Sequence, residues 1–191
     1  EIYQLYSKKG VELGYDGTFL TELFNKIQSE FWKTDHFTDW IGNNDLDYFD
    51  TFANLLAIYL GFASKSQSLK ILGFIKEKKM VNRFGAIKKS FPDYSQNLIS
   101  KRMRLLGLMD YCSNIYYPWM SFFYFYCVNR LGIKDLKIET TEESLLKRVL
   151  AQKEIFEAWD FRLKPYHSLF YYSEHPFAWA CSFLVLHSGS Y

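Results

Sequence analysis

Near the C-terminal end of the chain a glutamate stands in an apolar phrase, Ile155-Phe156-Glu157-Ala158-Trp159-Asp160, and a second aromatic phrase, Phe177-Ala178-Trp179-Ala180-Cys181, follows after a loop. A carboxylate held among aromatic rings suits general-base chemistry. It takes a proton from a water that attacks an anomeric carbon, while ring faces stack on the sugar. Glu157 is the first candidate for that base, and the plain alternative is a solvated residue just past a helix end. Glu174, in Tyr171-Tyr172-Ser173-Glu174-His175-Pro176, is the rival. A glutamate just before a proline at a helix start also serves to fix the helix terminus.

Composition narrows the other possibilities. Aromatic residues make up 20% of the 191 positions, with 5 Trp, 15 Tyr and 18 Phe, a supply of flat faces that fits a carbohydrate site although most must pack in the core. Basic and acidic residues nearly balance at a net charge of +2, which argues against a dedicated nucleic-acid binder. Nine basic residues against two acidic ones between Lys76 and Arg104 read as a solvated face. Cys112, Cys127 and Cys181 form neither a disulfide framework nor a zinc pattern, so a reducing, cytoplasmic setting is expected. His167 and His175 are too sparse for a metal site, and no cofactor is expected. Phosphate-binding glycine loops, nucleophile elbows and zinc-protease helices are absent from the sequence. So is the clustered acidic pattern of a magnesium-dependent terpene cyclase, since Asp45, Asp47 and Asp50 are never adjacent. The apolar run Ile115 to Val128 is shorter than the roughly 20 residues a membrane span needs, and no membrane partner is expected.

The elements that must position these residues read as helices almost throughout. Segments 2–13 and 18–32 form a first pair, separated by Asp16-Gly17; Leu20, Leu23, Phe24, Ile27 and Phe31 make the stripe of the second. A polar loop, 34–47, leads to an apolar inner helix at 50–62 and an amphipathic one at 66–79 that turns Leu69, Leu72, Phe74 and Ile75 to one side. An irregular stretch, 80–114, precedes a buried helix at 118–131 with Pro118 in its first turn. Helix 141–153 opens on a capping box of Thr140 and Glu143, and a last apolar helix spans 176–187. Inner apolar helices thus alternate with outer amphipathic ones, the pattern of an all-α, α/α-toroid architecture in one domain of 191 residues.

Several phrases carry a resemblance to a known group. Glu157-Ala158-Trp159-Asp160 followed by Pro176-Phe177-Ala178-Trp179 resembles the base-bearing Glu-Gln-Tyr-Asp phrase and Leu-Thr-Trp-Ser helix start of glucoamylases, and the corresponding phrases of neutral and alkaline invertases. The helix Phe49 to Ala63, with Gln67 and Ile71-Leu72 after it, resembles the Gly-Asn-x-x-Ala-Ile-Leu helix of the invertases, Ala53 standing at the glycine. Ser173 to Trp179 is similar to the Ser-Glu-His-Pro-Phe-Ala-Trp element of bacterial glycogen-debranching-like glucosidases. Asp110 to Trp119 resembles the Tyr-His-Asn-Gly-x-x-Trp-Pro loop of the same group, but it lacks the histidine, has Ile115 for the glycine and has Tyr117 for the tryptophan before proline.

The resemblance, to six-hairpin glycosidases over roughly residues 2–187, implies about three hairpins from the C-terminal half of an (α/α)6 toroid. It implies hydrolysis of an α-glucosidic bond with inversion, Glu157 as base, and Asn54, Asn114, Trp119, Trp159, Trp179 and Tyr172 as substrate-binding residues. The general acid would lie on a missing N-terminal half, so the chain alone would have little activity. The partners implied are a carbohydrate and either that half or a second copy covering inner helices such as 50–62 and 118–131. The alternative is a non-catalytic fragment, a sugar-binding or assembly module that keeps the fold.

Overall fold

The computed structural model describes residues 8, 10, 12, 14, 17–42, 47–133, 139–175 and 177–188, with side chains for all of these except 112, 139–141, 179, 180 and 186–188. Helices dominate, as the periodicity predicts: α1 Gly17–Glu30, α2 Thr51–Tyr59, α3 Lys65–Glu77, α4 Lys101–Leu105, α5 Pro118–Arg130, α6 Glu139–Gln152 and α7 Ala178–Ser188. The strands are two residues each: β1 Phe49–Asp50, β2 Ser90–Phe91, β3 His167–Ser168 and β4 Tyr171–Tyr172. The chain divides into two compact units, 1–74 and 75–191. No helix among the described residues is long and apolar enough to cross a membrane.

In the first unit, α2 begins where Asp50 caps it, the carboxylate accepting the Ala53 N–H at 2.8 Å. Its buried face is Thr51, Asn54, Leu55 and Ile58, while Leu56, Ala57 and Leu60 line a cavity. The turn into α3 closes on a reciprocal cap: Ser64 Oγ accepts the Gln67 N–H at 3.2 Å and Gln67 Oε1 accepts the Ser64 N–H at 2.9 Å. Ser68, Ile71, Leu72, Phe74 and Ile75 form the buried side of α3, while Leu69 is 43% exposed. Leu72, Phe74 and Ile75 pack as expected, and Ser68 goes inside where Leu69 was expected, because its hydroxyl is satisfied by the Ser64 carbonyl at 2.9 Å. The stripe of α1 is only half-buried and leaves Leu23 exposed, with Phe24 packing edge-on against Phe62.

The second unit is organised around α5. Ten residues of this helix are buried, Pro118 to Phe125 with Cys127 and Val128, and Pro118 occupies the first turn. The uncovered edge expected for 118–131 is therefore absent from α5. Ser121, fully buried, earns its place by accepting the Ile87 N–H at 2.9 Å and donating to the Tyr117 carbonyl at 3.1 Å. Phe183 of α7 packs on α5 through Trp119 and Phe123, with ring centroids 5.8 and 4.7 Å away. On the other side of α7 Val185 is 71% exposed, so the expected inner helix is half open. The Thr140 capping box falls on a side chain outside the described ones.

Candidate functional site

Glu157 lies in the loop after α6, and that loop is heavily stitched. Leu163 takes the left-handed conformation at φ 57°, and its carbonyl accepts from Arg148 Nη2 at 2.9 Å and Gln152 Nε2 at 3.2 Å, both on α6. The Asp160 carboxylate accepts the N–H groups of Arg162 and Lys164 at 2.8 and 3.0 Å, closing an Asx-type turn. Trp159 and Tyr116 exchange backbone hydrogen bonds at 2.7 and 3.0 Å. Ala158 N–H donates to Ser173 Oγ at 2.9 Å, and Glu157 N–H to the Glu174 carbonyl at 3.0 Å. Phe156, Ala158 and Trp159 on either side are buried, while Glu157 itself is half-buried.

What it meets there is a pair of phenols. Tyr111 Oη donates to Glu157 Oε1 and Tyr171 Oη donates to Oε2. Tyr111 sits on a one-turn 3-10 segment, Asp110–Cys112, and its carbonyl accepts the hydroxyl of buried Tyr117 at 2.6 Å. Tyr171 comes from β4, paired antiparallel with β3 so that Tyr171 lies opposite Ser168 and Tyr172 opposite His167. Ser168 Oγ in turn donates to the Leu106 carbonyl at 2.9 Å. The rings of Tyr111, Tyr166 and Tyr171 lie 5.3 to 6.3 Å apart between centroids, in contact with one another, so no ligand fits between them.

Both phenols are held strongly to their neutral form. For Tyr111, burial comes first and the hydrogen bond to and charge of Glu157 follow. Burial also leads for Tyr171, followed by the Glu157 hydrogen bond and the neighbouring Tyr111. As neutral donors they occupy one acceptor position on each carboxylate oxygen. An ionised carboxylate has about four such positions, so each oxygen keeps one for a water or a substrate hydroxyl.

The other expected residues fall elsewhere. Asn54 belongs to the first unit, is fully buried, and spends its amide on the fold: Oδ1 accepts the Phe37 N–H while Nδ2 donates to the carbonyls of Phe37 and Asp50, all at 2.9 Å. Trp159 is fully buried and Trp119 nearly so, giving core packing where stacking faces were expected. Asn114 is exposed, its N–H bonded to the Asp110 carbonyl at 2.9 Å. Glu174 is exposed, and its neighbour His175 pairs through Nδ1 with Glu154 at 3.1 Å. Tyr172 is 56% exposed, opposite to Tyr171 in the strand alternation, and the Trp179 side chain lies outside the described ones. Tyr111 and Tyr171, which do meet Glu157, were not among the expected contacts. Their only sequence signal was membership of the two aromatic phrases around 110–119 and 171–179.

A separate cavity of about 350 Å³ lies in the first unit, walled by Ile27, Phe31, Phe37, Leu56 and Phe62 and polar only at Thr38 and Asp39. Among the described residues no group of three or more His, Cys, Asp or Glu side chains could hold a metal ion. Comparison of the chain with models of protein families and with curated proteins gives no match.

Proposed function

We propose that the chain carries the general base of an inverting glycoside hydrolase acting on an α-glucosidic bond, with Glu157 as that base, on an α/α-toroid scaffold. The observation that supports this reading is the half-buried Glu157 carboxylate, held by Tyr111 and Tyr171 on a stitched loop between α6 and α7. In the reaction a water gives its proton to a Glu157 oxygen as its own oxygen bonds to the anomeric carbon. The bond from that carbon to the leaving oxygen breaks, its electron pair stays on that oxygen, and a general acid protonates it. That acid is expected on a segment upstream of this chain, roughly 6.5–9.5 Å from the base so that a water fits beneath the sugar.

The test is Glu157→Gln in the chain joined to its upstream half. Turnover of α-glucosides should fall about 10²- to 10⁴-fold with sugar binding retained. Unchanged turnover would sink the assignment, and loss with Glu174→Gln alone would move the base to Glu174. One observation favours the second reading, a fold-retaining module without catalysis: Trp119, Trp159 and Asn54 are buried in the core. That reading is supported if the joined protein binds sugars and both glutamate variants leave its chemistry at background.

A further inference from the structure

We infer that Tyr111 and Tyr171 are positioning residues for Glu157, acting as a two-point clamp that fixes the plane of its carboxylate and leaves one acceptor position open on each oxygen. The inference rests on the base reading for its catalytic meaning, and on the geometry alone for the clamp.

A glutamate side chain turns freely about its terminal torsion, which has broad, two-fold preferences. A donor on one oxygen would leave the carboxylate free to pivot about that contact. Donors on both oxygens, from separate elements, remove the pivot. Each element has its own anchor: Tyr111 through the hydroxyl of buried Tyr117 on its carbonyl, Tyr171 through the β3–β4 pairing and the Ser168 contact to Leu106. The three side chains form one network joined at the carboxylate, with the two phenol rings in edge contact at 5.3 Å between centroids. Such a network binds the anionic carboxylate with charge-assisted hydrogen bonds, about twice as strong as neutral ones.

The clamp matters because a base acts through the direction of its free lone pair. A displacement of about 1 Å in a reacting group costs up to about 10²-fold in rate. When Glu157 takes the water's proton, the new O–H uses one of the open positions, and neither phenol has to let go before the transfer. Tyr111 and Tyr171 change no bond of their own in the reaction.

The test needs no turnover in its first arm. Tyrosines isotopically labelled at Cζ are followed by NMR through alkaline pH in the chain and in Glu157→Gln. The clamp predicts that Tyr111 and Tyr171 ionise at lower pH in Glu157→Gln, since the charge that resists their ionisation is gone. Tyr124, pushed up to about 12 by burial alone, should not move and serves as the internal control. Unmoved resonances for Tyr111 and Tyr171 overturn the inference, whatever Glu157 does in catalysis. In the second arm, Tyr111→Phe and Tyr171→Phe in the joined protein should lower kcat about 10-fold or more, with KM within about 2-fold of the parent. Unchanged kcat in both variants also overturns the positioning role. A moved first arm in a protein without hydrolysis would uphold the clamp and reject the hydrolase reading, so the two fail separately.

Discussion

Asn54 and Glu157 are both polar side chains fixed by hydrogen bonds on more than one atom, and they are fixed in opposite ways. Asn54 in the first unit is fully buried, and its partners are backbone groups of Phe37 and Asp50. Its amide replaces a piece of secondary structure, tying the chain before β1 to helix α2. Glu157 in the second unit is half-buried, and its partners are side-chain phenols. Its backbone is what the fold uses, through Glu174 and the flanking Ala158 and Trp159 bonds, so the carboxylate itself remains available. A polar group whose partners are backbone is part of the architecture; one whose partners are other ionisable side chains is a candidate for chemistry.

The largest break in that comparison would come from Asn54→Ala. Removing the amide leaves the N–H and C=O of Phe37, itself 7% exposed, without their partner in a place water does not readily reach. Unsatisfied buried groups cost about 1–3 kcal/mol each, so the unfolding free energy should drop by about 3 kcal/mol, read by urea denaturation. Glu157→Gln keeps the shape of the side chain and should cost stability little beside its effect on turnover. If the asparagine variant loses less than about 1 kcal/mol, its amide is not the structural tie described here.

A second effect sharpens the comparison through pH. Tyr111 and Tyr171 are raised in the folded chain above the ordinary tyrosine value of about 10. Above that value the unfolded chain loses phenolic protons that the folded chain retains, so the unfolded state binds fewer protons and stability falls with rising pH. The contribution is fully present below pH of about 10 and is lost as pH climbs toward the raised folded values. Buried Tyr124 adds a slope of the same sign. Chemical denaturation at a series of alkaline pH values should therefore show a shallower decline in Glu157→Gln, where two of these groups relax. Asn54→Ala should shift the curve downward without changing its slope. Equal slopes in the chain and in Glu157→Gln would count against the network.

How far the sequence disclosed this division depends on the range of the interaction. Helices α2, α3, α5 and α7 were legible within a few residues at their ends because a period near 3.6 is written locally. On α3, Leu72, Phe74 and Ile75 were legible as buried and Leu69 was not legible as exposed, since hydrophobicity favours Leu69 over Ser68 while a hydroxyl bonded one turn back packs inside at small cost. The role of Pro118 was legible for the same local reason. Glu157 was legible as a residue but its neighbours were not. Tyr111 is 46 residues away, and a two-residue strand is too short to reveal whether Tyr171 or Tyr172 faces inward. Nor does residue type say whether a tryptophan packs in a core or waits for a ring to stack, which is why Trp119 and Trp159 were misplaced.

The smallest effect tests the architectural side of the comparison at the start of α2. Asp50 sits in extended conformation at φ −95° and ψ 123°, with its carboxylate on the Ala53 N–H and its carbonyl receiving Asn54 Nδ2. The side-chain bond satisfies one helix N-terminal donor, and replacing it with alanine typically costs about 1 kcal/mol. Asparagine caps about as well as aspartate, so Asp50→Asn should lie close to the parent while Asp50→Ala loses the full amount. The Asn54 tie survives both changes because it uses the backbone carbonyl, which no substitution at position 50 removes. Urea denaturation of the two variants decides the matter. A loss in Asp50→Asn as large as that in Asp50→Ala would mean that the negative charge, not the capping hydrogen bond, stabilises this end of the helix. Asp50 would then act through its charge and not through a fixed bond of the kind Asn54 makes.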